Sequence, residues 1–231
     1  MQEGCALHDW RPFFPHASPR NEQVKAIDFI VAQFINGVEY VVAELGTGVG
    51  KSAIAVTVAR WLRANGHALG LTEDNEQPRT YLLTSQKVLQ DQYVSDFKVH
   101  LKDIRSSANF QCSWFDGQTC AETKRIKGAF NHKADANVHS RIGCKDDECS
   151  YRCAKNEFVN SDVSLTNYSF FLSETTYAGE LVPRDMLVFD EAHNIEAEVR
   201  KWATISIDPD VVKKMKLKVA EKSAYNAALR K

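Results

Sequence analysis

The sequence predicts an α/β fold in which a parallel sheet is flanked by crossover helices. Three observations predict it. Short apolar runs of strand length alternate with amphipathic stretches of helical period. A glycine-rich string at residues 44–52, Glu-Leu-Gly-Thr-Gly-Val-Gly-Lys-Ser, sits between a strand-like run and a helical one. A second strand-like run, Met186-Leu187-Val188-Phe189, ends at Asp190 and is followed by Glu191-Ala192-His193.

The elements follow in order. After Pro12, Pro15 and Pro19 the chain turns helical, with Val24, Ile27, Ile30, Val31 and Phe34 on one face, and Asn36-Gly37 ends that helix. Residues 38–43, Val-Glu-Tyr-Val-Val-Ala, have strand composition and lead into the glycine string. A second helix is expected from Lys51 to Asn65, with Ile54, Val58, Trp61 and Leu62 inward and Gly66 as its stop. A polar loop over 67–79 precedes the short strand Tyr81-Leu82-Leu83. A helix over 88–97 follows, with Leu89 and Tyr93 facing in. From about 104 to 151 periodicity fails, and a stretch so poor in apolar residues needs a staple to be ordered. Regularity returns with a helix near Ala154, the strand Val163-Ser164-Leu165, an aromatic segment at 168–171, the buried strand at 186–189 and a helix over 192–202. Residues 211–229 are expected to be helical and basic.

The 231 residues, 44% of them hydrophobic, suffice for one sizeable core with or without an inserted subdomain. No apolar run is long enough to span a bilayer, and no signal peptide is visible, so a cytoplasmic or otherwise intracellular protein is expected. Net charge is −1, so a polyanion would have to be held by local patches. One candidate is residues 213–231, with six Lys and one Arg against Glu221; a solvated helix face fits equally well.

Residues 44–52 and 190–193 together have the chemistry of a nucleoside-triphosphate site. Gly46, Thr47, Gly48, Val49 and Gly50 allow the backbone to curl around phosphate at the positive end of the following helix. Lys51 is placed to reach the β- and γ-phosphates, and the Ser52 hydroxyl to ligate Mg²⁺. Leu45 stands where the strict pattern has glycine. Asp190 can hold Mg²⁺, Glu191 can polarise the attacking water, and His193 can sense the γ-phosphate. Five of the six cysteines, Cys112, Cys120, Cys144, Cys149 and Cys153, fall in the aperiodic stretch; Cys5 stands apart. Such clustering suggests a metal or iron–sulfur centre in a reducing compartment. Spacing alone does not separate iron–sulfur from zinc, the latter with His132 or His139 as an added ligand.

Asp190-Glu191-Ala192-His193 resembles the second nucleotide motif of superfamily 2 helicases. More narrowly, the chain is similar to their iron–sulfur branch, the XPD/DinG-like DNA helicases. Four further stretches carry that resemblance. Arg20-Asn21-Glu22-Gln23 fits an upstream Arg-x-x-Gln element in which Gln23 would read the adenine edge. Residues 84–92, Thr-Ser-Gln-Lys-Val-Leu-Gln-Asp-Gln, resemble a DNA-contacting segment. Residues 108–112, Ala-Asn-Phe-Gln-Cys, resemble an Asn-Tyr-x-Cys segment. Cys149-Ser150-Tyr151 with Asp162-Val163 and Asn167-Tyr168 resembles a Cys-Pro-Tyr…Asp-Val…Asn-Tyr run, with Ser150 replacing proline.

The resemblance implies a RecA-like phosphate-loop domain interrupted by a small Cys-rich insertion. The division would be 1–103 and 156–207 for the domain, 104–155 for the insertion, and 208–231 for a basic segment opening a further subdomain. It implies ATP, Mg²⁺ and a [4Fe–4S] cluster as cofactors. It makes Cys112 the first cluster ligand and Cys149 the last, with Cys120 and Cys144 between; a rival set replaces Cys120 with Cys153. It implies translocation on single-stranded DNA with 5′-to-3′ polarity, DNA or DNA junctions as partner, and no membrane. A second RecA-like domain, which nothing after Ala203 supplies, is expected in a longer protein or a separate chain. Phe110, Trp114, Phe115 and Phe130 are available to stack on bases or to form local core; Lys124, Arg125, Lys127 and Lys133 could track phosphates or line a solvated loop. Two other functions fit the same residues: a nucleotide-gated DNA-binding or assembly module without motor activity, and a phosphate-loop ATPase with a zinc-stabilised insert.

Overall fold

The computed structural model describes residues 7–72, 77–113, 115–123, 149–178 and 181–204. Cys5, Trp114, Lys124, Arg125, Lys127, Phe130, His132, Lys133, His139, Cys144 and the basic segment 208–231 lie outside the described residues.

Four strands, β1 (Thr80–Thr84), β2 (Lys102–Asp103), β3 (Val163–Asn167) and β4 (Met186–Phe189), form a sheet of order β2-β3-β1-β4. All pairings are parallel. Parallel neighbours require crossovers. Those in the described residues are α3 (Lys87–Phe97) after β1, α4 (Ser150–Asn160) before β3, and the short α5 (Tyr168–Ser173) after it. α1 (Asn21–Ile35) and α2 (Lys51–Asn65) precede the sheet, and α6 (Ile195–Ala203) follows β4. This parallel sheet flanked by helices fits a RecA-like domain.

Side chains alternate across β1 and make two cores. Leu82 joins Ile27 and Val31 of α1 and Val56, Trp61 and Leu62 of α2 on one face. Tyr81 and Leu83 join Ile104, Tyr151, Phe158 and Tyr168 on the other. A fully buried side chain of this size contributes about 1.5–3 kcal/mol, so either face alone outweighs any surface ion pair. Cys120 packs in the second core, and Tyr151 and Ile104 do too, so both ends of the stretch expected as an insertion are tied to the sheet.

Two strand expectations are corrected. Residues 38–43 do not form a strand, and Tyr40 and Val42 are 86% and 89% exposed. The residue types favour a strand, but a strand also needs a neighbour to take its backbone groups, and among the described residues this segment has none. β4 was expected to be buried. It is the sheet's edge among the described residues, with Met186 inside and Leu187 and Phe189 44% and 41% exposed. The helix expected over 192–202 is a 3₁₀ turn, Ala192–Asn194, running into α6.

Helix α2 has the expected bounds, but Gly66 does not end it by adopting a left-handed conformation. Its φ is −61°, and a Cβ there would overlap the Pro78 ring. The Pro78 ring lying against the Gly66 backbone is what requires glycine. Gly66→Ala is therefore expected to destabilise the domain by about 1–3 kcal/mol, as overpacking against a ring does. Urea unfolding of the variant against wild type checks this.

Candidate nucleotide site

Among the described residues the phosphate loop has no paired strand beneath it, so its position comes from elsewhere. Arg20, the residue before α1, donates from Nη1 to the Gly48 carbonyl at 2.6 Å. Gln23 donates from Nε2 to the Gly50 carbonyl at 3.4 Å, and its Oε1 accepts the Arg20 backbone N–H at 2.8 Å. Leu45 and Val49 pack against the first core and anchor the loop from below. Leu45, the departure from the strict glycine pattern, thus has an apolar packing role. Gly48 and Gly50 have φ of 79° and 85°, conformations natural to glycine. Gly50 caps α2, and Ala53 and Ile54 both donate to its carbonyl. The helix begins at Lys51 with its N-terminal dipole at the loop.

The acidic pair leaves the end of β4. The Asp190 N–H donates to the Leu83 carbonyl at 2.9 Å, continuing the β1 pairing by one residue. Tyr93 of α3 donates to Asp190 Oδ2 at 3.2 Å, and the Glu191 N–H donates to Oδ1 at 3.0 Å. Tyr168 donates to the Asp190 main-chain oxygen at 2.8 Å. Burial pushes the Asp190 carboxyl above the usual aspartate range, against the pull of the Tyr93 hydroxyl. Burial, with Asp190 adjacent, likewise raises both Tyr93 and Tyr168, so each phenol stays protonated and available as a donor.

Glu191 has φ 54°, a left-handed conformation found at no other non-glycine among the described residues. That geometry costs on the order of 1–2 kcal/mol and turns the side chain toward α2. Its Oε1 lies 3.3 Å from Lys51 Nζ, and its Oε2 lies 3.4 Å from Nδ1 of His193. His193 is 70% exposed. Lys51, Ser52, Asp190, Glu191 and His193 are thus gathered at one end of the sheet, across 140 residues of chain between Lys51 and Glu191. Ser52 follows Lys51 in the first turn of α2, and Asp190 precedes the Glu191 that meets Lys51, so two oxygen donors of the kind Mg²⁺ takes stand on the two sides of that contact. This donor set fits a magnesium ion, with Ser52 and Asp190 as its holders.

A cleft of about 360 Å³ opens beside the loop, lined among others by Phe14, His16, Gln23, Gln92, Asp96 and Phe97. His16 lies between Phe14 and Phe97, with ring centroids 5.7 and 5.5 Å away. Phe14, His16, Asp96 and Phe97 were not anticipated from the sequence; they come from separate segments and carry no local motif. Gln23, expected to read the adenine edge, borders the cleft, and its amide is engaged by the protein at both ends.

The cysteines give a different outcome. Cys112 and Cys120 lie across a small antiparallel bridge, Gln111 with Thr119, and Ser150 donates to the Gln111 carbonyl at 3.2 Å. Cys149 therefore approaches the Cys112 segment. Cys120 nevertheless turns into the apolar core, and no group of three or more His, Cys, Asp or Glu is arranged to hold a metal ion among the described residues. Cys144 lies outside those residues, and the described cysteines alone show neither a cluster nor a zinc site.

A glycine loop capping a helix, a lysine on its first turn and two acids at the end of a parallel strand define the phosphate-loop class of nucleotide-binding α/β domains. The chain belongs to the family described as the type III restriction enzyme, res subunit, whose model matches residues 16–220. It is a helicase-family domain. It is also similar to a probable ATP-dependent helicase, MJ0942, of Methanocaldococcus jannaschii, at 24% identity over 220 residues. That match covers 86% of this chain and 32% of the relative, so the chain spans about a third of the relative's length. No helix among the described residues is long and apolar enough to cross a membrane.

The loop geometry separates two glycines. A Cβ on Gly48 would meet nothing within 4 Å, whereas one on Gly50 would stand 2.5 Å from Gln23 Nε2. Both alanine variants carry the left-handed penalty of about 1–2 kcal/mol. Gly50→Ala also expels Gln23 from its seat and is expected to weaken nucleotide binding at least tenfold more than Gly48→Ala, measured with a fluorescent ATP analogue.

Proposed function

We propose that this domain binds MgATP and hydrolyses it as the nucleotide-binding half of an ATP-dependent DNA helicase. The observation that carries the reading is the meeting of Lys51, Ser52, Asp190 and Glu191 at the mouth of the glycine loop. Gly46 to Gly50 would curl around the phosphates, and Lys51 would leave Glu191 to neutralise the β- and γ-oxygens. Ser52 and Asp190 would hold Mg²⁺, which would supply charge neutralisation at the phosphates. Glu191, released from the lysine, would orient and deprotonate the attacking water. His193, within reach of Glu191, would respond to its charge and relay the state of the γ-phosphate. The aromatic cleft would take the base, with Gln23 as its border.

Family membership and the helicase relative support the motor reading. Residues 84–92 support DNA as the polymer, since they match a DNA-contacting segment and their start adjoins the site. A second RecA-like domain, in the longer protein or a separate chain, would complete the ATP site. The iron–sulfur subtype and 5′-to-3′ polarity rest on the sequence resemblance, and no step here runs through a cluster. Iron and sulfide content of anaerobically purified protein tests the subtype: about four of each supports it, and zinc in their place replaces it with a zinc-stabilised insert.

Lys51→Ala is expected to abolish ATP hydrolysis in the natural full-length protein while the circular dichroism spectrum stays unchanged. Retained turnover would remove the nucleotide assignment. Hydrolysis by wild type that single-stranded DNA does not accelerate would instead favour a nucleotide-gated binding module without motor activity.

A further inference from the structure

The cleft beside the phosphate loop touches the loop at Gly50 and Ser52 and runs to His16 and Phe97. Its volume falls in the range of small-ligand sites. Phe14 and Phe97 are buried, whereas His16, set between them, is exposed, so the imidazole is the ring that offers a face to a ligand. Stacking tolerates every base, because every base has a π-face. Selectivity has to come from polar groups that meet the base edge.

Gln23 is badly placed to supply them. It is only 5% exposed, its Oε1 accepts the Arg20 backbone N–H, and its Nε2 donates to the Gly50 carbonyl. Swinging that amide to a base would give up both bonds and let go of the loop. Gln92 and Asp96 are placed differently. They lie four residues apart on α3 and so share one helical face, and both line the cleft. Both are exposed, and neither side chain has a hydrogen bond or ion pair among the described residues. A carboxylate can only accept, and an amide can donate. The pair matches an edge that carries an amine beside a ring-nitrogen acceptor, which is the pattern of adenine. A 6-oxopurine would turn a carbonyl toward the carboxylate, acceptor against acceptor.

We propose that Asp96, with Gln92 beside it, sets the base selectivity of this site, and that Gln23 serves the phosphate loop instead of the base. This rests on the nucleotide reading above.

The test is displacement of mant-ATP from the full chain by three competitors. These are ATP, ITP, in which a carbonyl replaces the 6-amine, and inorganic tripolyphosphate, which has no base. Wild type is expected to prefer ATP over ITP by about tenfold, the worth of one hydrogen bond to a charged group. Asp96→Asn presents an amide that can donate to the carbonyl, and is expected to erase or invert that preference. Gln23→Ala is expected to weaken all three competitors by the same factor and to keep the ATP-to-ITP ratio. General damage to the fold lowers affinities without moving that ratio, so the ratio isolates the base edge. An ATP-to-ITP ratio near unity in wild type, or unchanged in Asp96→Asn, would overturn the proposal while leaving the nucleotide site standing. So would a Gln23→Ala protein that loses the ATP preference but keeps its tripolyphosphate affinity. Wild-type protein that binds no mant-ATP would overturn both readings.

Discussion

Two side chains at the start of α1 hold the phosphate loop by its own carbonyls. Arg20 reaches Gly48 and Gln23 reaches Gly50, and the two residues are locked to each other through the Arg20 N–H and the Gln23 amide. A glycine-rich loop pays more conformational entropy than any other to become ordered. Among the described residues no paired strand beneath it defrays that cost. The grip from α1 and the apolar anchors Leu45 and Val49 do so instead. Once the loop is placed, α2 begins at Lys51, and the positions of Lys51 and Ser52 follow from helix geometry.

The acids are placed by an independent route. β1 pairs with β4 in register from Thr80 with Met186 to Leu83 with Phe189. One further bond, Asp190 to Leu83, carries the register past the strand end. Tyr93 and Tyr168, from helices that follow β1 and β3, then hold Asp190 by side chain and main chain. The ion pair between Lys51 and Glu191 is where the two routes meet. Both partners are partly exposed, so the contact contributes little to folding. It registers the alignment that the strands and α1 have already made.

Much of this was legible in the sequence because it is local. The bounds of α2, the apolar face of α1 and the end of β4 at Asp190 follow from period and composition alone. What failed depends on neighbours that no local pattern encodes. Val38 to Ala43 have the composition of a strand and no pairing partner among the described residues. Gly66 reads as a helix stop and the helix does end before it, but its closeness to Pro78 is invisible in the sequence. Tyr93 reads as an inward-facing aromatic, and only the fold sets its hydroxyl against Asp190. The cysteines divide in the same way: their clustering is plain in the sequence, yet Cys120 is drawn into a core that periodicity does not reveal.

The two halves of the site differ in mechanical support. The loop is tied to a helical layer with a dense core behind it. The acids ride on a strand with one flank bonded to β1 and the other open among the described residues. Opening free energy is lowest where backbone bonds are fewest and most solvated. The cradle is thus backed by a helical layer, and the carboxylates hang from a single ladder of backbone bonds.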